Sequence, residues 1–399
     1  MQGDEHVLIE RIHASGKQLV LAVTGGGSGA LAALLEVPGA SATVLEGVVP
    51  YSAAALETWL GGRPDQAASE RTARAMAMAA FERARSMSDA NPRMLRGIGA
   101  TASLVTTRPK RGAHRVHVAW QSADTTVVTS CELSKDNRTR AQEEQIATQL
   151  VLSAVAEACA VDTASGEQGV GTAPCTELQR REQHAPPEWT ALLLGERQSV
   201  AIADSSTIAN PQSARSLPAA AGNAKFQILF PGAFNPIHAA HEQIAAYAAA
   251  HYGAPVTWEL SIANVDKPPL DFIEIADRLA GLAGRRVLLS RAATFVEKAA
   301  LVPGCLFLIG ADTIERIADP RYYGGDAVHR DGAVAAIASH GCRFLVFGRL
   351  FDDRFRTLSE VELPPALRQL CDEVPESEFR HDAASKQIRA EVRSDTGRG

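Results

Sequence analysis

No uninterrupted apolar stretch in the sequence reaches the ~18 residues that a membrane-spanning helix needs, so the chain is expected to stay out of the bilayer. Its start, "MQGDEHVLIERIHASG", is acidic and polar and does not read as a signal peptide. The six cysteines (Cys131, Cys159, Cys175, Cys305, Cys342, Cys371) are far apart and form no C-x-x-C pair. That spacing argues against a disulfide framework or zinc site and for reduced thiols in a cytoplasmic protein. A basic excess is also missing: the formal net charge is −6, which speaks against a non-specific nucleic-acid binder. Aromatic residues are few, at 5%, and no internal repeat is evident. What remains is the apolar fraction of a globular protein, 46%, rich in alanine, on a chain of 399 residues. That length exceeds one ordinary core and predicts two domains of roughly 150 to 200 residues each.

The pattern along the chain is α/β. "QLVLAVT" (18–24) is an apolar β-type run that ends in "GGGSG" and then a helical Ala/Leu pattern. "ATVLEGVVPYS" and "HRVHVAW" read as further strands, and "ERTARAMAMAAFERAR" and "QEEQIATQLVLSAVAEACA" as amphipathic helices. These make a first α/β domain over 1–160. Residues 161–223 are rich in Ser, Ala, Gly and Pro and read as a linker, with one packed segment at "PEWTALLLGE". A second α/β domain, 224–399, starts at "KFQILFPGAFNPIHAAHEQI". The runs "VTWELSIANV", "RRVLLS", "CLFLIGAD" and "CRFLVFGR" follow, each set off by helical or loop sequence. This alternation predicts a doubly wound, Rossmann-like parallel sheet with ligands at the carboxyl ends of its strands.

In such a sheet the loop leaving the first strand reaches the ligand crevice. His238 and His241 stand three apart at the predicted helix start, where both rings can project to one side and donate N–H bonds to phosphate oxygens. Gly232, Asn235 and Pro236 supply the turn before them. The stretch "GAFNPIHAAH" resembles the G-x-F-[DN]-P-x-H-x-G-H of the nucleotidylyltransferase superfamily, which includes the nicotinamide mononucleotide (NMN) adenylyltransferases. Ala240 stands where that pattern has its last glycine. "FLIGADTIERI" is similar to the family's strand-end G-A-D, with Gly310 and Asp312 as nucleotide contacts. "RHDAASKQIRAE" resembles its I-S-S-T-x-I-R, retaining Ser385, Ile388 and Arg389 and adding Lys386.

The resemblance implies transfer of a nucleotidyl group from ATP, accompanied by Mg²⁺, to a phosphorylated acceptor, with pyrophosphate leaving. His238, His241 and Arg389 would be catalytic. Gly232, Ala233, Phe234, Asn235, Gly310, Asp312, Ser385 and Lys386 would bind the nucleotide. No protein-held metal is expected. Lys267, Thr294, Lys298 and Tyr322 are candidates on the acceptor side. The tryptophan that usually follows G-A-D in NMN adenylyltransferases is replaced here by "DPRYYGG", with Tyr322 and Tyr323.

The first domain carries T-G-G, V-P-G-A-S and V-V-P-Y-S in order, and is similar to the CinA C-terminal domain, the NMN deamidase family. That family's nucleophilic serine falls on Ala22 and its lysine on Leu56, so amidase activity is not expected. The glycine turn of Thr24, Gly25, Gly26, Gly27 and Ser28, with Arg138 and Arg140, is the expected anion site. Arg108, Lys110 and Arg111 are further basic residues nearby in sequence. Three functional readings follow: adenylyl transfer to NMN or a relative, adenylyl or cytidylyl transfer to another acceptor, and a non-catalytic nucleotide sensor or scaffold. A homo-oligomer is expected from the resemblance.

Overall fold

A computed structural model describes residues 2–107, 112–135, 138–162, 175–202, 227–351 and 354–380. Among the described residues no helix is long and apolar enough to cross a membrane. The chain divides into two compact α/β units. The first comprises Met1–Leu194 with Asp266–Ala276, the second Gly195–Val265 with Asp277–Gly399.

The first unit contains α1 (Gln2–His13), β1 (Gln18–Thr24), α2 (Gly29–Glu36), α3 (Ala40–Thr43), β2 (Val44–Val48), α4 (Ala53–Leu60) and α5 (Glu70–Met87). It continues with β3 (Leu95–Ser103), β4 (His114–Gln121), β5 (Thr125–Leu133), α6 (Arg140–Ala158), β6 (Cys175–His184) and α7 (Pro187–Leu194). The strands form one sheet in the order β2-β1-β3-β4-β5-β6. β2 and β3 run parallel to β1, and β4, β5 and β6 are antiparallel. One face is covered by α1, α2 and α6 over an aliphatic core that includes Ile12, Leu21, Leu34, Val118 and Val151. On the other face α5 lies close against β3, which small residues permit. A Cβ at Gly97 would stand 2.1 Å from the Ala77 carbonyl oxygen, and one at Gly99 would stand 2.4 Å from that of Ala73.

Two expectations change here. Of the segment read as a linker, residues 175–202 hold β6, α7 and the strand β7 (Ser199–Ile202). β6 is polar because it is the edge strand of the first sheet, paired on β5 from Thr125↔His184 to Leu133↔Cys175. That pairing also brings Cys131 and Cys175 into a disulfide across 44 residues of sequence, a bond the cysteine spacing argued against. Sequence separation does not report cross-strand proximity, and strand pairing does.

The second unit continues from β7 with β8 (Gln227–Pro231), α8 (Ala239–Tyr252), β9 (Val256–Ser261), α9 (Phe272–Gly281), β10 (Val287–Ser290), α10 (Phe295–Leu301) and β11 (Cys305–Gly310). Then come α11 (Ala311–Ala318), α12 (Ala327–Ser339), β12 (Arg343–Phe347), the hairpin β13 (Arg349–Phe351) and β14 (Arg354–Arg356), α13 (Pro365–Arg368) and β15 (Cys371–Glu373). The main sheet has the order β15-β12-β11-β8-β9-β10-β7. All neighbours are parallel except β7, which runs antiparallel to β10 at the edge. The chain winds from β8 through β9 to β10 on one side, then returns to place β11 on the other side of β8. The carboxyl ends of β8 and β11 therefore form a topological switch point, the place where open α/β sheets bind ligands.

Candidate functional site

At the end of β8 the chain makes a compact turn. Gly232 donates its N–H to the Glu259 carbonyl (3.1 Å), and its missing side chain is used by Phe234, whose ring would stand 2.6 Å from a Cβ there. Phe234 is buried with φ +47°, in the left-handed region. Its ring meets Trp258 at 4.9 Å and His241 at 5.4 Å between centroids. Ala233 accepts a bond from Arg278 (3.2 Å), and Asn235 is joined to Pro236 by a cis peptide bond.

His238 caps α8 in an extended conformation (φ −149°, ψ 170°), and His241 lies in the first helical turn. Their rings stack at 3.8 Å with 28° between planes, and the His238 N–H donates to His241 Nδ1 at 3.3 Å. Accepting at Nδ1 places the proton of a neutral His241 ring on Nε2. Ala240, the departure from the motif, is 2% exposed, so its methyl is covered by protein.

Across the switch point, Gly310 ends β11 and caps α11, and Asp312 stands in the first turn of that helix. A residue that sequence reasoning missed joins it. Arg349, at the start of β13, brings Nε within 3.6 Å of Asp312 Oδ1, and both atoms are buried with no hydrogen-bond partner among the described residues. Gly310 makes room for them, since a Cβ there would stand 2.4 Å from Asp312 Oδ1 and 2.8 Å from Arg349 Nε. Arg349 follows the carboxyl end of β12 much as the histidines follow β8, so the rule that found the histidines could have found it.

Of the acceptor-side candidates in this unit, Lys298, Thr294 and Tyr322 each have an internal partner. Lys298 is buried, and its Nζ donates to both Glu259 carboxylate oxygens (2.7 and 2.8 Å) and to the Ala292 carbonyl (2.8 Å). Thr294 caps α10 in a reciprocal pair with Glu297. Lys267 belongs to the first unit. Tyr322 is exposed, its hydroxyl accepting from Arg316 Nε (3.1 Å), while Tyr323 donates to the Ile317 carbonyl (3.1 Å). Ser385, Lys386, Ile388 and Arg389 lie outside the described residues, as do Arg108, Lys110 and Arg111. Phe379, near the end of the described residues, packs its ring on Phe347 at the end of β12 (5.0 Å). Among the described residues no group of three His, Cys, Asp or Glu side chains is arranged to hold a metal ion.

In the first unit the glycine turn after β1 is already engaged. Glu144, on α6, accepts at Oε1 from the N–H of Gly27 (2.9 Å), the N–H of Ser28 (2.8 Å) and the Ser28 hydroxyl (3.1 Å). Arg140 donates to the carbonyls of Gly25 (2.8 Å) and Val105 (3.2 Å), and the Thr24 hydroxyl donates to the Pro50 carbonyl (3.0 Å). Arg138 is half-buried just ahead of α6. The expected anion site thus holds an internal carboxylate. Glu144 could not be read from sequence because it reaches the turn from more than 110 residues away. Ala22 and Leu56 pack together with Leu60 and Met76 in one apolar cluster.

Residues 3–159 match the CinA C-terminal domain family. The match covers the body of the first unit and none of the second. Solved structures similar to the chain are the competence/damage inducible protein of Agrobacterium tumefaciens (23% identity, TM-score 0.31), the competence or damage-inducible protein of Enterobacter asburiae (22%, 0.30) and a CinA superfamily protein of Klebsiella pneumoniae (20%, 0.31). Each covers 39% of this chain, and the chain covers 95%, 96% and 98% of theirs. No curated protein matches. The CinA-like segment contains Ala22, Leu56 and the glycine turn held by Glu144, and the histidine pair lies outside it.

Proposed function

We propose that the second unit transfers a nucleotidyl group, AMP from ATP, to NMN or a related phosphorylated acceptor, with release of pyrophosphate. The observation that carries this reading is the stacked pair His238 and His241 at the start of α8, on the switch point, with Gly310 and Asp312 on the neighbouring strand end. A phosphate oxygen of the acceptor attacks the α-phosphorus in line. The bond from that phosphorus to the bridging oxygen breaks, and the electron pair leaves with pyrophosphate. The protein's part is positioning and charge neutralisation. The imidazole N–H groups of the pair bond the phosphate oxygens as charge builds on them, and the start of α8 favours the same anions. Mg²⁺ accompanying ATP would be held by the phosphates and water and would add to that charge neutralisation. Ala240 is compatible with this reading because its methyl is directed into the protein.

The CinA-like unit contributes no amide hydrolysis in this reading. The positions onto which the family resemblance places its nucleophile and lysine are two apolar side chains packed in one apolar cluster.

The test is pyrophosphate release by purified protein with Mg·ATP, with and without NMN. Release that depends on NMN is expected, together with a loss of at least about a hundredfold in His238→Ala/His241→Ala. If wild type releases none with NMN while ATP still binds through the histidines, NMN transfer is wrong, and a different acceptor or a sensor takes its place.

A further inference from the structure

The first unit is completed by eleven residues, 266–276, taken from the second half of the sequence. They are the connection that leaves the carboxyl end of β9 and the first half of α9. This strap is built in as a core element. Phe272 is 0% exposed, Ile273 2% and Ile275 1%. Ile273 enters a cluster of Ala73, Ala77, Ala119 and Val128, on α5, β4 and β5, and Phe272 stacks on Trp189 (6.5 Å, 27°). The Phe272 N–H donates to the Thr126 hydroxyl at 3.0 Å. Gly61 lets the strap pass, because a Cβ there would lie 1.4 Å from the Asp266 carbonyl oxygen.

One ion pair sets the register. Arg74, on α5, donates from one nitrogen to both Asp271 oxygens (2.6 and 2.8 Å), with side chains 5% and 8% exposed. Asp271 also caps α9, accepting the Glu274 N–H at 3.0 Å. Glu274 in turn pairs with Arg71 at 3.2 Å and stands 3.5 Å from Arg74. The carboxylate that starts helix α9 is therefore held by a buried cation from α5, beside which Glu70 (3.4 Å) and Glu274 also stand.

We propose that the CinA-like unit serves as the holder of the β9–α9 connection, and that Arg74 is the positioning residue that fixes it through Asp271. The surface made by α5, β4 and β5 is thereby an interaction surface whose partner is this chain's own strap. This explains a retained unit whose apolar Ala22 and Leu56 carry no chemistry. Any effect on turnover rests on the transfer reading above, whereas the holding role does not.

Hydrogen exchange by mass spectrometry on the full chain tests it, comparing wild type with Asp271→Asn, Arg74→Lys and the apolar pair Arg74→Met/Asp271→Leu. In wild type, 266–276 should exchange as slowly as β3 to β5. Asp271→Asn should speed exchange of 266–276 by on the order of a hundredfold, with α8 and β11 unchanged. Arg74→Lys should restore part of the protection relative to Asp271→Asn, and the apolar pair most of it. Loop-like exchange of 266–276 in wild type overturns the proposal. So does unchanged protection in Asp271→Asn, or an acceleration spread evenly over the chain. If NMN-dependent pyrophosphate release is found, the exchange result still decides the holding role. If none is found, the transfer reading fails and the exchange result alone decides the holding role.

Discussion

His117, on β4, shows how one side chain couples this fold to pH. Its Nδ1 stands 2.7 Å from the Ser130 hydroxyl on β5, and burial, followed by the nearby Arg115 charge, pushes its pKa down to about 4. The ring is neutral in the native protein at pH 7, while in the unfolded chain it titrates near ~6.5. Between those values the unfolded state binds more protons. The contribution to stability is therefore full above about pH 6.5 and falls as pH drops toward 4. Urea midpoints of wild type and His117→Phe, compared from pH 8 to 4.5, should carry this slope in their difference. A flat difference would refute it. Glu144 is a second case. Glu144→Ala removes the common acceptor of three donors, and because the turn is partly open to water the cost should be about 1 to 2 kcal/mol in chemical denaturation. Glu144→Gln keeps an acceptor oxygen and should lose less than half of that. Equal losses would mean that the bonds do not set the effect.

At the scale of elements, α5 and β3 depend on the absence of side chains. Gly97→Ala would place a methyl 2.1 Å from a helix carbonyl, so backbone must move, and a loss of about 3 kcal/mol or more is expected. A denaturation midpoint unchanged from wild type would show that the helix can shift freely. The same packing explains why β3 is hard to read in "LRGIGATAS", where small residues replace the β-branched run that marks a strand. β6 hides for a different reason, since an exposed edge strand needs no apolar face. By contrast β8 to β12 are legible because each is a short apolar run buried on both sides, and the two site loops are legible because their residues are adjacent in sequence. Glu144 and the Arg74–Asp271 pair are not legible in the same way. Each depends on which strand or helix arrives beside it, and local pattern does not report that. The internal partner of Lys298, Glu259, is hidden from local pattern for the same reason.

For the molecule as a whole, the cysteines give a direct check on the first sheet. Of six cysteines, Cys131 and Cys175 are paired and four are free. Thiol titration of the non-reduced, denatured protein should therefore return four groups, with the linked peptides recovered by mass spectrometry. Six thiols would leave β6 held by its ladder alone. The division of the chain has a consequence of its own. The backbone passes from one unit to the other after Leu194, after Val265 and after Ala276. A gene cut at any one point therefore encodes at least one half with a missing piece. Graft experiments that treat the halves as interchangeable cassettes would fail at 266–276. The shortest transplantable form of the CinA-like unit is a permuted gene in which the strap is spliced back onto the first 194 residues.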